Sequence, residues 1–393
     1  MSSPRVRRFH IVLILGSLGL MAAGALAARR HYARTEVIHV FAGGDIQQAL
    51  EAASRQSGRT TVRVHEGTYA PRSAGEALIF LNARHDGISL EADGAVTLTA
   101  ANPALADPQA PSYPAVVNHV VYFGEGITRR TTLRGFKITG ANGYVSGPTD
   151  LIAIRTRNDL MRSIHYRTRE ASRIEPNVLE KTEYFYTDGG GILIHGQSYP
   201  TIEAVDVCDN YSTVCGGGVS VQHHGDGTAG PVLFKDCIFR NNSTAVSGGA
   251  VDLLLPGSAV EFENCLFEAN ASNVKIGPPD EPEHGVLTVF PGCRVVMRRC
   301  TFAGNRNAVD DLGTGSLYED SVFWCNASAA RVQGKGFEIS ANDTATIRRC
   351  HIGAGRKGTR HAPGKCGPPP GDRESTRAMG YTGRSRSGRT TQG

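Results

Sequence analysis

The sequence predicts an all-β fold: a single-stranded right-handed parallel β-helix, a solenoid, with an N-terminal capping helix. Three observations predict it. Short segments ending in Asn recur along the second half of the chain. Their apolar columns keep constant spacing while the loops between them vary. A strand led by small residues follows each one.

The recurring segments read VDVCDN, CIFRNN, CLFEAN, CTFAGN and SVFWCN. They end at Asn210, Asn242, Asn270, Asn305 and Asn326, and three residues earlier stand Val207, Phe239, Phe267, Phe302 and Phe323. Two before those are Val205, Cys237, Cys265, Cys300 and Ser321, and three further upstream runs a second apolar column, Phe234, Phe262, Met297, Tyr318 and Ile347. The steps between successive Asn residues are 32, 28, 35 and 21. Irregular steps around a constant core spacing fit a solenoid, whose units bury an apolar face only by stacking on their neighbours. Each unit then has three short strands and three bends, and at least six rungs lie between Gly189 and Ile352.

The position two before the Cys column alternates in sign: Lys235, Glu263, Arg298, Glu319, Arg348. Opposite charges on neighbouring strands contribute about 0.2–1 kcal/mol each, and a slipped register would oppose like charges.

The N-terminal part fits the same plan. Asp45 suits an N-cap, with Ile46, Leu50 and Ala53 on one face of a short helix. Val62 and Val64 alternate as a strand, and TTLRGFKITGANG forms a further coil before Gly140.

Residues 1–35 read as a signal peptide or signal anchor. Arg5, Arg7 and Arg8 precede an apolar run over 11–28, Ala25-Leu26-Ala27 suits a signal peptidase, and Arg29 and Arg30 follow. The body is expected to be exported, to the periplasm, cell surface or medium, either free or tethered to the membrane by that run. Residues 356–393 are rich in Gly, Pro, Ser and Arg without periodicity, and read as a disordered basic tail. The solenoid domain is therefore placed at 36–355, with an insertion at 142–188.

The net charge of +5 comes from the two ends, because residues 36–353 hold 27 basic against 35 acidic side chains. That balance argues against a nucleic-acid footprint on the folded body. Nine cysteines lie between Cys208 and Cys366, so at least one lacks an intrachain partner. Cys237, Cys265, Cys300 and Cys350 read as a buried column. Cys208 and Cys215 are expected outside the core, near enough to bridge.

Residues 37–353 resemble the pectate-lyase-like right-handed β-helix superfamily. DIQQALEAA with GRTTVRVHEGTY looks like its capping helix and first coil, and FKDCIFRNNSTAVSGGAVDL looks like its generic repeat. The resemblance implies the fold. It does not fix an activity, since the superfamily hosts lyases, hydrolases, epimerases, adhesins and tail spikes. Asp310-Asp311 matches one polygalacturonase-like element, but no Gly-His-Gly or Arg-Ile-Lys follows and no DPHD signature occurs. Uronate lyases of the superfamily commonly use Ca2+ and a basic residue, so Ca2+ is the cation the resemblance suggests.

Candidate site residues come from alternation in the Gly-led strands. Ile192, Val219, Val251, Val309 and Phe337 are expected to face inward. Leu193, Ser220, Asp252, Leu287, Asp310 and Glu338 then face outward. Asp252, Asp310 and Glu338 would form one exposed acidic column able to act as an acid and base pair on a glycosidic bond, or to share a cation. Asp311 would point inward and need a hydrogen bond. His195, His223 and His224 end such strands and offer imidazoles as base or ligand. Arg155, Arg157 and Arg167 of the insertion offer forks for carboxylates. The insertion and the loop 271–284 are expected to wall the column. The reading is a monomeric polysaccharide binder or enzyme, a lyase or glycoside hydrolase, acting on a cell-envelope or uronate-containing glycan. The alternative is a non-catalytic surface or structural β-helix of adhesin type.

Overall fold

A computed structural model describes residues 36–146, 183–223, 230–274, 283–327 and 336–353. Residues 1–35, most of the 142–188 segment with Arg155, Arg157 and Arg167, His224 and residues 354–393 lie outside these. No helix among the described residues is long and apolar enough to cross a membrane.

The chain winds into a right-handed parallel β-helix. A sixteen-stranded sheet holds two strands from most rungs, and an eight-stranded sheet holds the Gly-led strands from Gly75–Leu81 to Ile339–Ala341. Six of those eight, starting at Ile192–His195, are the rungs expected beyond Gly189.

Two columns of left-handed backbone make the corners. Ala204, Asp236, Asn264, Arg299, Asp320 and Arg349 have φ of 51–55° between the two strands that each rung gives the long sheet. Asp209, Asn241 and Ala269 repeat this at 53–55° just before the Asn column. Left-handed backbone costs a non-Gly residue about 1–2 kcal/mol. Stacking offsets that cost, since Asp236 N–H donates to Glu263 O (2.9 Å) and Asn241 N–H to Glu268 O (3.2 Å) on the next rung.

Inside, both aromatic columns stack in register. Phe239 pairs with Phe267 and Phe267 with Phe302, their rings 4.6 and 4.1 Å apart and within 11° of parallel. Phe234, Phe262, Met297, Tyr318 and Ile347 align as the second column. Cys237, Cys265 and Cys300 are buried, and the Cys265 amide reaches the Cys300 sulfur at 3.5 Å.

The Asn column is a hydrogen-bonded ladder. Nδ2 of Asn210, Asn242, Asn270 and Asn305 each donates to Oδ1 of the next Asn, at 3.1, 3.0, 2.9 and 2.8 Å. Each backbone N–H donates to that same oxygen. Fully paired, such buried amides tie every rung to the next.

The charge alternation is longer than the five positions named above. Strand registers extend it downward through Glu203, Arg134 and Glu91 to Arg63, so nine successive rungs alternate in sign. Lys235 lies 3.7 Å from Glu203, and Arg134 lies 2.6 Å from it on the other side.

At the N-terminal end, helix Ile46–Ala53 covers the first coil. Asp45 caps it by accepting the Gln48 amide at 2.9 Å. Gln47 clamps the helix to Phe80 through both of that residue's backbone groups, at 3.0 and 2.8 Å.

Cysteine placement needs one correction. Cys208 and Cys215 are both buried and both free thiols. Cys215 stacks on Ser247 of the next rung, Sγ to Oγ 3.1 Å, and Cys208 sits opposite Arg240. The aligned positions on the next rung are polar, Arg240 and Ser247, which is why the sequence points to an exposed position. A rung-to-rung contact buries Cys215 instead.

Candidate functional site

The outer face of the Gly-led sheet carries one column in strict register: Ser220, Asp252, Thr288, Asp310, Ser340. Asp252 and Asp310 are therefore two rungs apart, as the alternation implied. Glu338 is not in this column. Ile339, not Phe337, stands opposite Val309, and Ser340 stands opposite Asp310. Leu287 likewise moves into the core column opposite Val251, leaving Thr288 outside. The cause of that second shift is local. The amides of Ala250 and Val251 both donate to Val286 O, at 2.9 and 3.0 Å, so two residues of one rung face a single residue of the next at the strand entry.

Glu338 has a structural role. Its Oε1 accepts from Asn326 N–H (3.0 Å) and Ala327 N–H (3.2 Å), and its Oε2 accepts from Asn326 Nδ2 (2.6 Å). It supplies the acceptor that a further Asn would have supplied. Asp310 and Glu338 thus do not share a site, and the pair on which a shared cation rested is not formed. Among the described residues, no group of three or more His, Cys, Asp and Glu side chains is arranged to hold a metal ion.

The column is also not an exposed face. Ser220, Asp252 and Thr288 have 0% exposure. A second apolar layer lies on this side of the solenoid: Val214, Cys215, Ala245, Val246 and Leu254 form one cluster. Phe185 and Tyr186, from helix Glu183–Thr187 at the end of the insertion, pack on Tyr122 and Leu193 in another. Strand alternation assigns a side chain to a face, but it does not say whether that face meets water.

Asp252 lies against the glycine turn below it. A Cβ on Gly216 or Gly248 would collide with the Asp252 side chain, and both glycines have left-handed φ, 62° and 67°. The Gly lead of these strands therefore gives the carboxyl its room. Neither Asp252 oxygen makes a hydrogen bond of normal geometry. Burial pushes its pKa well above the usual carboxylate range, and the Ser220 hydroxyl on the adjacent strand opposes this only in part.

Asp310 has a different setting. It is partly exposed, and its Oδ2 lies 3.0 Å from His284 Nδ1. His284 is held in turn by its amide, which donates to Asn273 Oδ1 at 2.9 Å. The loop 271–284 thus reaches the column at Asp310. His284 was not among the residues singled out from sequence. Its one available signal is its place immediately before Gly285. Asp311 is buried and satisfied, accepting from Tyr318 Oη and Gly313 N–H, both at 2.8 Å.

His195 and His223 are interior groups. His223 Nε2 is 2.8 Å from Ser198 O, and its ring tilts against Tyr199. His195 is buried with the edge of Phe185 against it, ring centres 5.3 Å apart. Neither converges on Asp252 or Asp310 as a base in the described contacts.

A family model described as the right-handed beta helix region matches residues 190–365. No curated protein matches the chain. Among solved structures, it is similar to pectin methylesterase PemA from Erwinia chrysanthemi, at 11% identity and TM-score 0.38 over 80% of this chain and 81% of that one. A pectin methylesterase from Yersinia enterocolitica gives 12% and 0.35 over 80% and 93%. One from Aspergillus niger gives 11% and 0.31 over 80% and 88%. These likenesses concern the fold alone. The right-handed parallel β-helix seen in the strand topology thus agrees with the family model over residues 190–365.

Proposed function

We propose that the outer face of the Gly-led sheet binds a polysaccharide and acts on it through Asp252 and Asp310. The observation that carries this reading is the contrast between two carboxyls on one column. Asp252 is wholly buried, which raises its pKa, while Asp310 is partly exposed and bound to His284. Pairs of titratable groups in contrasting environments are the usual basis for dividing acid and base roles. Two rungs put the backbones about 9–10 Å apart, which allows the carboxyls to flank a linkage as in inverting glycosidases, roughly 6.5–9.5 Å apart. Asp252 would protonate the leaving oxygen, and Asp310 would activate water on the other side. Arg155, Arg157 and Arg167 would complement a uronate. Residues 1–35 would export the chain or tether it, and the exported protein would act on a cell-envelope or extracellular glycan as a monomer.

One observation favours a second reading, a non-catalytic surface or structural β-helix. Asp252 has no exposed surface, so substrate reaches it only if the covering layer moves. A glycan-array and uronide-degradation screen of the full chain, with and without Ca2+, separates the two. Binding or cleavage that Asp310→Asn abolishes supports the first reading. Absence of both across the screen supports the second.

A further inference from the structure

We propose that His284 is the general base of the Gly-led face and that Asp310 positions it, an inference that rests on the reading of this face as acting on a glycosidic bond. Asp310 then activates water through the imidazole rather than with its own oxygen. His284 Nδ1 stands 3.0 Å from Asp310 Oδ2. A carboxylate only accepts, so the ring carries its proton on Nδ1 and, when neutral, keeps a lone pair on Nε2. Among the described residues Nε2 has no hydrogen-bond partner, and it is not buried.

Exposure separates the two groups. The His284 side chain is 24% exposed and that of Asp310 14%, so the imidazole is the more open to water, while the carboxyl has Oδ2 already engaged. The backbone on both sides of His284 is anchored. Its amide donates to Asn273 Oδ1 at 2.9 Å, and the Asn273 amide donates to Val246 O at 3.0 Å. Gly285 O accepts from the Ser272 and Thr288 hydroxyls, at 2.8 and 3.0 Å. A Cβ on Gly285 would stand 2.6 Å from the Asp310 amide nitrogen, so glycine is what lets the loop lie this close to the Asp310 strand. A base whose supports are fixed in this way is already oriented before a substrate arrives.

In the step, water gives a proton to His284 Nε2 while its oxygen bonds to the anomeric carbon. The glycosidic bond breaks, and the leaving oxygen takes the proton that Asp252 supplies. The imidazolium then returns its proton to solvent and Asp252 regains one, which restores both groups. The Asp310 carboxylate stabilises the imidazolium and excludes the other tautomer without itself taking the proton. At neutral pH an imidazole is also a stronger base toward water than a carboxylate.

The test uses nuclear magnetic resonance of the full chain with isotopically labelled histidine ring nitrogens, the His284 signals being those lost in His284→Gln. Wild type should carry the proton on Nδ1. Asp310→Asn should show a mixture of both tautomers, since a carboxamide can donate as well as accept. Turnover of uronate oligosaccharides should fall about 100- to 10,000-fold in His284→Gln. It should fall similarly in Asp310→Asn and no further in the double variant, because the two act as a unit. Melting curves report folding, and His284→Asn serves if His284→Gln fails to fold. A proton on Nε2 in wild type would overturn the proposal whatever the substrate. Turnover lost in Asp310→Asn but kept in His284→Gln would overturn it and leave the glycan reading standing. A wild-type chain that turns over no glycan would overturn both.

Discussion

Glu338 closes the ladder at Asn326: its two oxygens take the three donors that the next asparagine and its turn would otherwise have met. The ladder therefore ends in an acceptor with nothing further to satisfy. Replacing Glu338 with Ala strands buried donors of Asn326 and Ala327, a loss of about 1–3 kcal/mol for a buried group left unpaired. Melting should shift down, and amide exchange should rise first in the last two rungs. Unchanged exchange at Asn326 and Ala327 would mean that Glu338 is not the cap.

The charge ladder should set register. Lys235→Glu places three acids in a row with Glu203 and Glu263. Because these side chains are partly exposed, the destabilisation should be modest, about 0.2–1 kcal/mol per lost pair. It should shrink as salt screens the repulsion. A melting temperature for Lys235→Glu that matches wild type at low salt would remove any role for the alternation.

Burial of Asp252 fixes the sign of a pH effect. Its folded-state pKa is raised, so the folded chain binds this proton more tightly than the unfolded chain. The contribution is fully present below the ordinary Asp pKa of about 3.9. It is lost as pH rises through the higher folded-state pKa. Asp252→Asn, which needs no proton, should therefore melt higher than wild type near neutral pH, with the gap closing toward acid. A gap that is constant with pH would contradict a raised carboxyl.

The buried free thiols should be inert in the native chain. Burial pushes Cys208 and Cys293 up to about 12. Since the thiolate is the reactive form, alkylation at neutral pH should wait for unfolding. Rapid labelling of Cys208 in the folded protein would count against its placement.

Much of the fold was legible because a solenoid repeats its physics. The Phe, Cys and Asn columns each need the same residue type at the same corner on every rung, so a short alignment exposed them. The charge column was found at five positions and runs to nine, because the first coils lack the Cys and Asn marks that anchor the count. The site was less legible. Asp252 and Asp310 were placed on one column, but their surroundings were not, since alternation carries no information about a second layer such as Val246 and Leu254. Glu338 was misplaced because the turn before its strand differs in length from the turns below. His284 belongs to a loop with no repeat to align it.

The site proposal turns on Asp310, which is partly exposed and contributes little to the core. The most direct measurement is the binding and turnover of uronate oligosaccharides by wild type and Asp310→Asn, with melting curves taken alongside. Melting should be equal, with turnover lost or reduced by orders of magnitude in the variant. Wild-type turnover that Asp310→Asn leaves unchanged would contradict it and place any chemistry elsewhere on the chain.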